Sequence, residues 1–305
     1  MFKSHRLTFA VLICASVLPF VGVTSAQAVT TPQCVVSLSP TATETLYAIG
    51  AGHQVQAVDK DANYPTAGLP TKRVDALNPS VEAIIGICQK TASHPSTKPD
   101  LVVISYDANS IKAKLAAVGV RVVEMDAPTT TAGALGQIVR LGQLTGHRAT
   151  ASRLARSLDR AMKSLVRSIP AHPGKVLTAY YELDPTYYSL TSKTFVGSLL
   201  KSLGVVNIAD AKSTSADAGY PQLSAEYVVS ANPKLIFLAD TVCCKASAAS
   251  LAKRPGFSKV AAVKDGGVIA LNDDVASRWG PRLVRLLQEM TVAVKGALHN
   301  AKLWQ

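Results

Sequence analysis

Tyrosine rings are the first candidates for a binding role in this 305-residue sequence, in which only 6% of residues are aromatic. They recur at predicted strand ends or beside prolines, at Tyr64, Tyr106, Tyr180, Tyr181, Tyr187, Tyr188 and Tyr220. A tyrosine offers a flat apolar face and one polar hydroxyl, and the carboxyl ends of strands border the ligand crevice of an open α/β sheet. Any single tyrosine is more often partly buried core, but the recurrence in both halves of the chain favours an aromatic binding site.

A charged segment at residues 274–282 lies between the last predicted strand and the last predicted helix. It contains Asp274 and Arg278, four residues apart, followed by Trp279. Such a pair can be a surface ion pair that contributes little to stability. Alternatively, the carboxylate and the planar guanidinium can orient a polar ligand beside the Trp279 ring. The sequence predicts a loop here and leaves both interpretations open.

Two glutamates, Glu82 and Glu226, occupy equivalent places in a weak internal repeat. Residues 80–84 and 224–228 each begin with a serine and carry the glutamate two residues later. A proline-marked turn and an apolar strand follow each copy. A glutamate in the first turn of a helix is usually only a partner of the helix dipole. Two equivalent carboxylates would also suit a partner with two-fold symmetry.

Motifs for catalysis or cofactor binding are absent from the sequence. It contains no GxxxxGK[ST], GxSxG or HExxH, and its six histidines never fall at metal-ligand spacing. Gly50-Ala51-Gly52 follows a predicted helix and is more typical of a helix C-cap than of a dinucleotide-binding loop. We therefore expect no catalytic residue, no cofactor and no metal site.

The composition narrows the class of protein further. A hydrophobic content of 48% and a charged content of 17% exclude a disordered chain, a collagen and a small disulfide scaffold. The net charge of +12 is scattered singly without interleaved aromatic residues, so we expect no nucleic-acid partner. The chain is longer than the size at which a single core keeps growing, which favours two lobes.

The N-terminus has the features of a secretory signal peptide. A charged start at residues 1–6, an apolar run at 7–23 and an Ala-x-Ala site predict export and cleavage after Ala28. The run is short for a membrane anchor and contains Pro19. Cys14 lies in the middle of the run, which disfavours lipid anchoring there. We expect an exported protein, periplasmic or associated with the cell surface.

Four cysteines follow the predicted cleavage site: Cys34, Cys88, Cys243 and Cys244. An even number in an oxidising compartment permits two disulfides. Cys34 with Cys88 fits best if both lie in the first lobe, whereas the adjacent pair would need a strained ring. The sequence leaves the connectivity open.

Short β-branched runs alternate with segments of helical period, which predicts parallel α/β sheets. Strands are predicted at 34–38, 55–58, 101–105, 120–125, 176–181, 235–239 and 268–271. Helices are predicted at 44–49, 81–87, 111–118, 132–145, 148–169, 195–203, 225–230, 247–251 and 281–298. The long amphipathic helix at 148–169 either connects two lobes or is an ordinary surface helix.

The predicted fold is therefore α/β, with two Rossmann-like lobes joined by a single long helix and a ligand cleft between them. The predicted organisation is a signal peptide at 1–28, an N-terminal lobe at 29–147, a connecting helix at 148–170 and a C-terminal lobe at 171–305.

Five short motifs occur in a recognisable order along the chain. They read VSLSPTATE from residue 36, NYP from 63, SVEAI from 80, KPDLV from 98 and YPQLSAE from 220. In this order and spacing the sequence resembles the substrate-binding proteins of ABC importers for vitamin B12, ferric siderophores and haem. The resemblance covers essentially the whole chain after residue 28, and it implies two α/β lobes with a rigid connecting helix.

The resemblance also implies a ligand site. In the B12-binding members, aromatic residues from both lobes sandwich the corrinoid, and an Asp and an Arg touch its polar edge. The matching positions here are Tyr64, Tyr106, Tyr220, Asp274 and Arg278. The ligand expected is a corrinoid or an iron chelate, with a ferric siderophore or haem as the alternatives within the family. An exported enzyme or a sensor on the same scaffold is the alternative from another class.

Family members dock onto a membrane permease, which works with an ATPase, through one glutamate on each lobe. The matching residues are Glu82 and Glu226, and the resemblance implies a monomer that is not an enzyme. The chain departs from the B12-binding pattern at Ala76, where that group has a tryptophan. An insertion at residues 89–97 and the adjacent cysteines are further departures.

Overall fold

The computed structural model describes residues 31–304. The predicted signal peptide, its cleavage site after Ala28 and Cys14 lie outside the described residues. In the part that is described, no helix is both long enough and apolar enough to cross a membrane. Residues from Thr31 onward form one compact unit.

Two parallel sheets form the framework. The first has the order β3-β2-β1-β4-β5 and contains β1 (Val35–Leu38), β2 (Val55–Asp59), β3 (Arg73–Val74), β4 (Leu101–Ile104) and β5 (Val122–Glu124). The second has the order β7-β6-β8-β9 and contains β6 (Leu177–Glu182), β7 (Val205–Asn207), β8 (Leu235–Leu238) and β9 (Val268–Ala270). Strands β1, β4 and β8 are buried along their whole length, as apolar strands covered on both faces should be.

Helices cover these sheets. Around the first sheet lie α1 (Pro40–Ala48), α2 (Val81–Ile85), α3 (Ile111–Ala117) and α4 (Thr131–Leu144), followed by the long α5 (Arg148–Arg167). Six helices surround the second sheet: α6 (Phe195–Ser202), α7 (Ala225–Ala231), α8 (Ala248–Ala252), α9 (Ala261–Lys264), α10 (Asp273–Ser277) and α11 (Leu283–His299). Each sheet with its own helices is termed a lobe below.

The long helix α5 packs against one hydrophobic core of each sheet. Leu154 and Leu158 pack against the core of the first sheet. Met162 belongs to the core of the second sheet, and Leu165 packs against it. A helix of this length spans about 30 Å, so one rigid element reaches both cores. This packing favours a connecting helix over an ordinary surface helix.

The fold class predicted from the sequence is confirmed, since every predicted strand and helix is present with shifted ends. The sequence missed β3, β7, α9 and α10, which are all short. The prediction of a loop from Asp274 onward is wrong in its first part, which forms α10. The Asn272 side chain accepts a hydrogen bond from the Val275 N–H at 3.2 Å, and this cap starts the helix. The domain boundaries stay a prediction.

Candidate functional site

Four of the predicted tyrosines are exposed. Tyr106 is 69% exposed, Tyr188 is 42% exposed, Tyr220 is 41% exposed and Tyr64 is 40% exposed. Tyr64 and Tyr106 follow β2 and β4, beyond the carboxyl ends of strands in the first lobe, and Tyr220 lies in the loop before α7 in the second. Open aromatic faces of this kind are available to a large flat ligand.

Tyr180 and Tyr181 are core residues, so the prediction that they join the aromatic site is wrong. Both lie inside β6 and are fully buried. Successive side chains of a strand point to opposite faces of the sheet, and here each face is covered by a separate hydrophobic core. Tyr187 is also used in packing, because its ring stacks on Phe257 with centroids 6.1 Å apart.

A buried carboxylate, Glu44, joins the two lobes. It lies on α1 in the first lobe and is 2% exposed. Arg278 donates from Nη1 to Glu44 Oε1 at 2.9 Å, and Arg282 donates from Nε to Glu44 Oε2 at 2.9 Å. The two arginines follow α10 in the second lobe. The hydrogen bonds to Glu44 raise the pKa of Arg282, which keeps its guanidinium charged.

The guanidinium of Arg278 has further partners. It donates to Asn63 Oδ1 at 2.8 Å, to the Asp61 carbonyl at 3.1 Å and to Asp274 Oδ1 at 2.6 Å. Asn63 also donates from Nδ2 to Asp274 Oδ2 at 2.7 Å. Arg278 is therefore not simply one partner of a surface ion pair with Asp274. Its guanidinium is also not free to bind a ligand, because its N–H groups already have protein partners. Asp274 retains a side chain that is 34% exposed.

Tyr64 is connected to the same network. The Arg282 guanidinium carbon lies 4.3 Å from the centroid of the Tyr64 ring, a distance at which a cation is attracted to the ring face. The structure thus brings together Tyr64, Asp274 and Arg278 from the predicted set, while Tyr106 and Tyr220 lie on separate loops.

Sequence reasoning missed Glu44, Asn63 and Arg282 as site residues. One signal was available, since Glu44 is the only charged residue between positions 31 and 52. A lone charge in an apolar helix requires a buried partner. The sequence does not say which partner, because the two arginines follow more than two hundred residues later.

A second group of polar side chains lies at the carboxyl ends of β6 and β8. Arg254 donates to both carboxylate oxygens of Glu182 at 2.7 Å. Asp240 is fully buried, and neither of its carboxylate oxygens has a hydrogen-bond partner among residues 31–304. Burial, with the nearby charge of Glu182, raises the pKa of Asp240 to about 6. Over the described range there is no cluster of three His, Cys, Asp or Glu side chains suited to a metal ion.

Both pairs of cysteines are bonded. The structure joins Cys34 to Cys88, the pairing that the sequence favoured, and it also joins the adjacent Cys243 and Cys244. The adjacent pair is exposed in the loop after β8. Asp273 at the start of α10 accepts a hydrogen bond from the Cys243 N–H at 2.8 Å, which holds this loop against α10.

Glu82 and Glu226 have matching local structures. Each is exposed and lies in the first turn of a short helix, α2 or α7. The side chain of Ser80 accepts from the Ala83 N–H at 3.3 Å, and that of Ser224 accepts from the Tyr227 N–H at 3.2 Å. The serine that begins each copy of the internal repeat therefore caps the helix that follows it.

The comparison with known proteins identifies the family. The chain belongs to the periplasmic binding protein family, whose sequence model matches residues 35–275. It is 29% identical over 272 residues to an ABC transporter substrate-binding lipoprotein of Bacillus subtilis, covering 86% of this chain and 80% of that protein. It is also 29% identical over 278 residues to a cobalamin-binding protein of Halobacterium salinarum, covering 88% of this chain and 70% of that protein.

The fold matches a solved structure of the same class. The periplasmic vitamin B12-binding protein BtuF of Vibrio cholerae superposes with a TM-score of 0.71 at 22% identity, covering 88% of this chain and 98% of that one. The resemblance seen in the sequence motifs is confirmed by the family match and by these relatives, which include an ABC transporter substrate-binding lipoprotein and a cobalamin-binding protein. The matching family is one of binding proteins.

Replacing Asp240 with asparagine is expected to stabilise the protein at neutral pH. Burial raises the pKa of Asp240 to about 6, above the value of about 3.9 for an unfolded chain, so the folded state binds this proton more tightly. The contribution of the Asp240 carboxyl to stability is then fully present below about pH 4 and is lost as the pH rises through about 6. Asparagine does not titrate, so the free energy of unfolding at about pH 7.5 should increase by up to about 3 kcal/mol, which is about 1.4 kcal/mol for each pH unit that separates the two pKa values.

Urea denaturation at about pH 7.5 and about pH 4 measures this difference. Asp159→Asn is the matched control, because Asp159 forms an exposed pair with Lys163 and should change stability by less than about 0.5 kcal/mol. An effect of Asp240→Asn that is the same at both pH values would contradict the prediction.

Proposed function

We propose that this chain is the exported substrate-binding protein of an ABC importer and that it captures a corrinoid between its two lobes. One observation carries the choice of ligand. The exposed rings of Tyr64, Tyr106 and Tyr220 accompany a polar network whose two arginines already have carboxylate partners. The cobalamin-binding relative described above supports the same choice.

The charge state of the network favours a corrinoid over haem. A corrinoid is large and flat-faced, and its periphery carries neutral amides, whereas haem carries two carboxylates that need cationic partners. Arg278 and Arg282 share Glu44, and Arg278 also pairs with Asp274. These guanidiniums are already neutralised, while the partly exposed Asp274 can accept a hydrogen bond from an amide N–H. Aromatic faces would supply most of the buried area.

Delivery of the ligand requires a partner in the membrane. We infer that Glu82 and Glu226, one on each lobe, dock onto the permease, which works with its ATPase. Both carboxylates are exposed and lie in equivalent capped turns. Pairs of this kind give salt-sensitive contacts that set orientation and association rate. In this proposal residues 1–28 direct export and are removed after Ala28, and the exported protein is a monomer.

Titration of the exported protein with cyanocobalamin tests the ligand. We expect one-to-one binding with a dissociation constant in the micromolar range or tighter, or about −8 kcal/mol. Tyr64→Ala and Tyr220→Ala should each weaken binding by about tenfold or more, because each removes an aromatic contact. Calorimetry measures both effects on protein freed of co-purified ligand.

Val292→Ala is the control for this titration. Val292 is 66% exposed on α11, away from the tyrosines in sequence and fold, and its truncation should leave the affinity unchanged. If folded protein binds haemin or a ferric siderophore but not cyanocobalamin, the corrinoid assignment is contradicted and the family assignment is unaffected.

Uptake experiments test the docking residues separately from the ligand. The double variant Glu82→Ala with Glu226→Ala should bind the ligand with unchanged affinity and should lose most of its transport in cells that carry the cognate permease. Glu289→Ala serves as the control, since Glu289 is a partly exposed carboxylate whose one salt bridge within residues 31–304 is with Arg285 on its own helix. Normal uptake by the double variant would refute the docking role.

A further inference from the structure

A groove away from the tyrosines lies where α4, α5, α6 and α11 meet. Its volume is about 750 Å³, within the range of small-molecule sites. Apolar side chains from all four helices line it: Leu135, Val139, Met162, Val166, Leu199 and Leu287. The residues that line it do not include the tyrosines, Asp274 or Arg278. The groove is therefore separate from the candidate ligand site.

Cations of α5 border this apolar surface. Arg156, Lys163 and Arg167 line the groove and are exposed. Lys163 pairs with Asp159 at 2.8 Å. Arg156 and Arg167 form no salt bridge with any residue between 31 and 304. An apolar groove edged by two available guanidiniums is complementary to a molecule with a hydrocarbon chain and an anionic head.

We propose that this groove binds a long-chain carboxylate, with the alkyl chain along the apolar floor and the carboxylate at one of the two arginines, Arg156 or Arg167, which lie three turns, about 16 Å, apart on α5. Removal of a hydrocarbon chain from water supplies the driving force. The guanidinium fork matches a carboxylate in a planar, two-bond geometry. The site is independent of the corrinoid site and adds a second ligand class to the protein.

Two other occupants fit less well. A flat bilayer surface does not reach the floor of a concave groove, whereas a single chain does. The apolar run at residues 7–23 is preceded by Lys3 and Arg6, which have the same sign of charge as the groove edge. Like charges repel, so this N-terminal run is disfavoured as the occupant of the groove. A free anionic amphiphile satisfies both the shape and the charge.

Calorimetric titration of the exported protein with dodecanoate, below its micellar concentration, tests the proposal. We expect saturable one-to-one binding. Dodecyltrimethylammonium, with the same chain and the opposite charge, should bind at least about tenfold more weakly. Octanoate should also bind more weakly than dodecanoate, because it buries fewer methylene groups.

Paired variants separate the groove from the general charge of α5. Arg156→Gln with Arg167→Gln should weaken dodecanoate binding by about tenfold or more. The matched control is Arg148→Gln with Arg153→Gln, which makes the same charge change on the same helix outside the groove and should leave binding unchanged. Gly136→Leu should narrow the groove on its α4 side, since Gly136 is an exposed lining residue and a Cβ there meets no atom within 4 Å, which leaves room in the fold for a larger side chain.

Several outcomes would overturn the assignment. Equal weakening by the two arginine pairs would show attraction to overall charge alone. Dodecanoate binding that survives Gly136→Leu would place the ligand elsewhere. If protein with a native circular dichroism spectrum does not bind dodecanoate, the proposed carboxylate site is refuted. Binding to phosphatidylglycerol vesicles without binding to dodecanoate would refute it as well.

Discussion

The arrangement of the two lobes depends on a buried carboxylate that is shared by two arginines. Glu44 is 2% exposed, and an unpaired carboxylate in that position would cost several kcal/mol through lost hydration. Arg278 and Arg282 satisfy it from the other lobe. Neither lobe can move away without leaving a buried charge unpaired. The interaction therefore acts together with α5, whose side chains enter both cores, to restrict the angle between the lobes.

The same interaction shapes the chemistry offered to a ligand. Arg282 lies over the Tyr64 ring, so the face of an exposed aromatic residue is connected to the lobe contact. Arg278 draws Asn63 and Asp274 into the network. Once these charges neutralise one another, the groups left for a ligand are the tyrosine rings and the partly exposed Asp274 carboxylate. Such a surface suits a bulky, largely uncharged ring better than a polyanion.

Most of the fold follows from sequence patterns that act locally. Buried parallel strands such as β1, β4 and β8 are short apolar runs, and the period of residues 148–169 indicates one long helix. Elements of two to five residues, such as β3 and α10, are too short to show a hydrophobic period in the sequence. They form because a neighbouring strand pairs with them or because a single capping side chain starts the helix. The prediction for Tyr180 and Tyr181 is wrong because a strand end and a strand interior have the same sequence pattern when the strand boundary shifts by a residue.

Glu44 illustrates what a sequence alone does not supply. Its isolation among uncharged residues indicates a buried partner, but the partners lie 234 and 238 residues away along the chain. Only the packing of one lobe on the other brings these side chains together. Tyr64 and Tyr220, in contrast, lie within short sequence motifs, so the sequence alone was enough to predict them as binding residues.

A double-mutant cycle between Glu44 and Arg282 is the most direct test of this account. The free energy of unfolding would be measured by urea denaturation for the wild type, Glu44→Gln, Arg282→Gln and the double variant. We expect a coupling energy above about 1.5 kcal/mol, because either single change already removes the charge-assisted hydrogen bonds between Arg282 and the buried Glu44 carboxylate. Additivity of the two changes to within about 0.5 kcal/mol would show that the lobes do not depend on this contact.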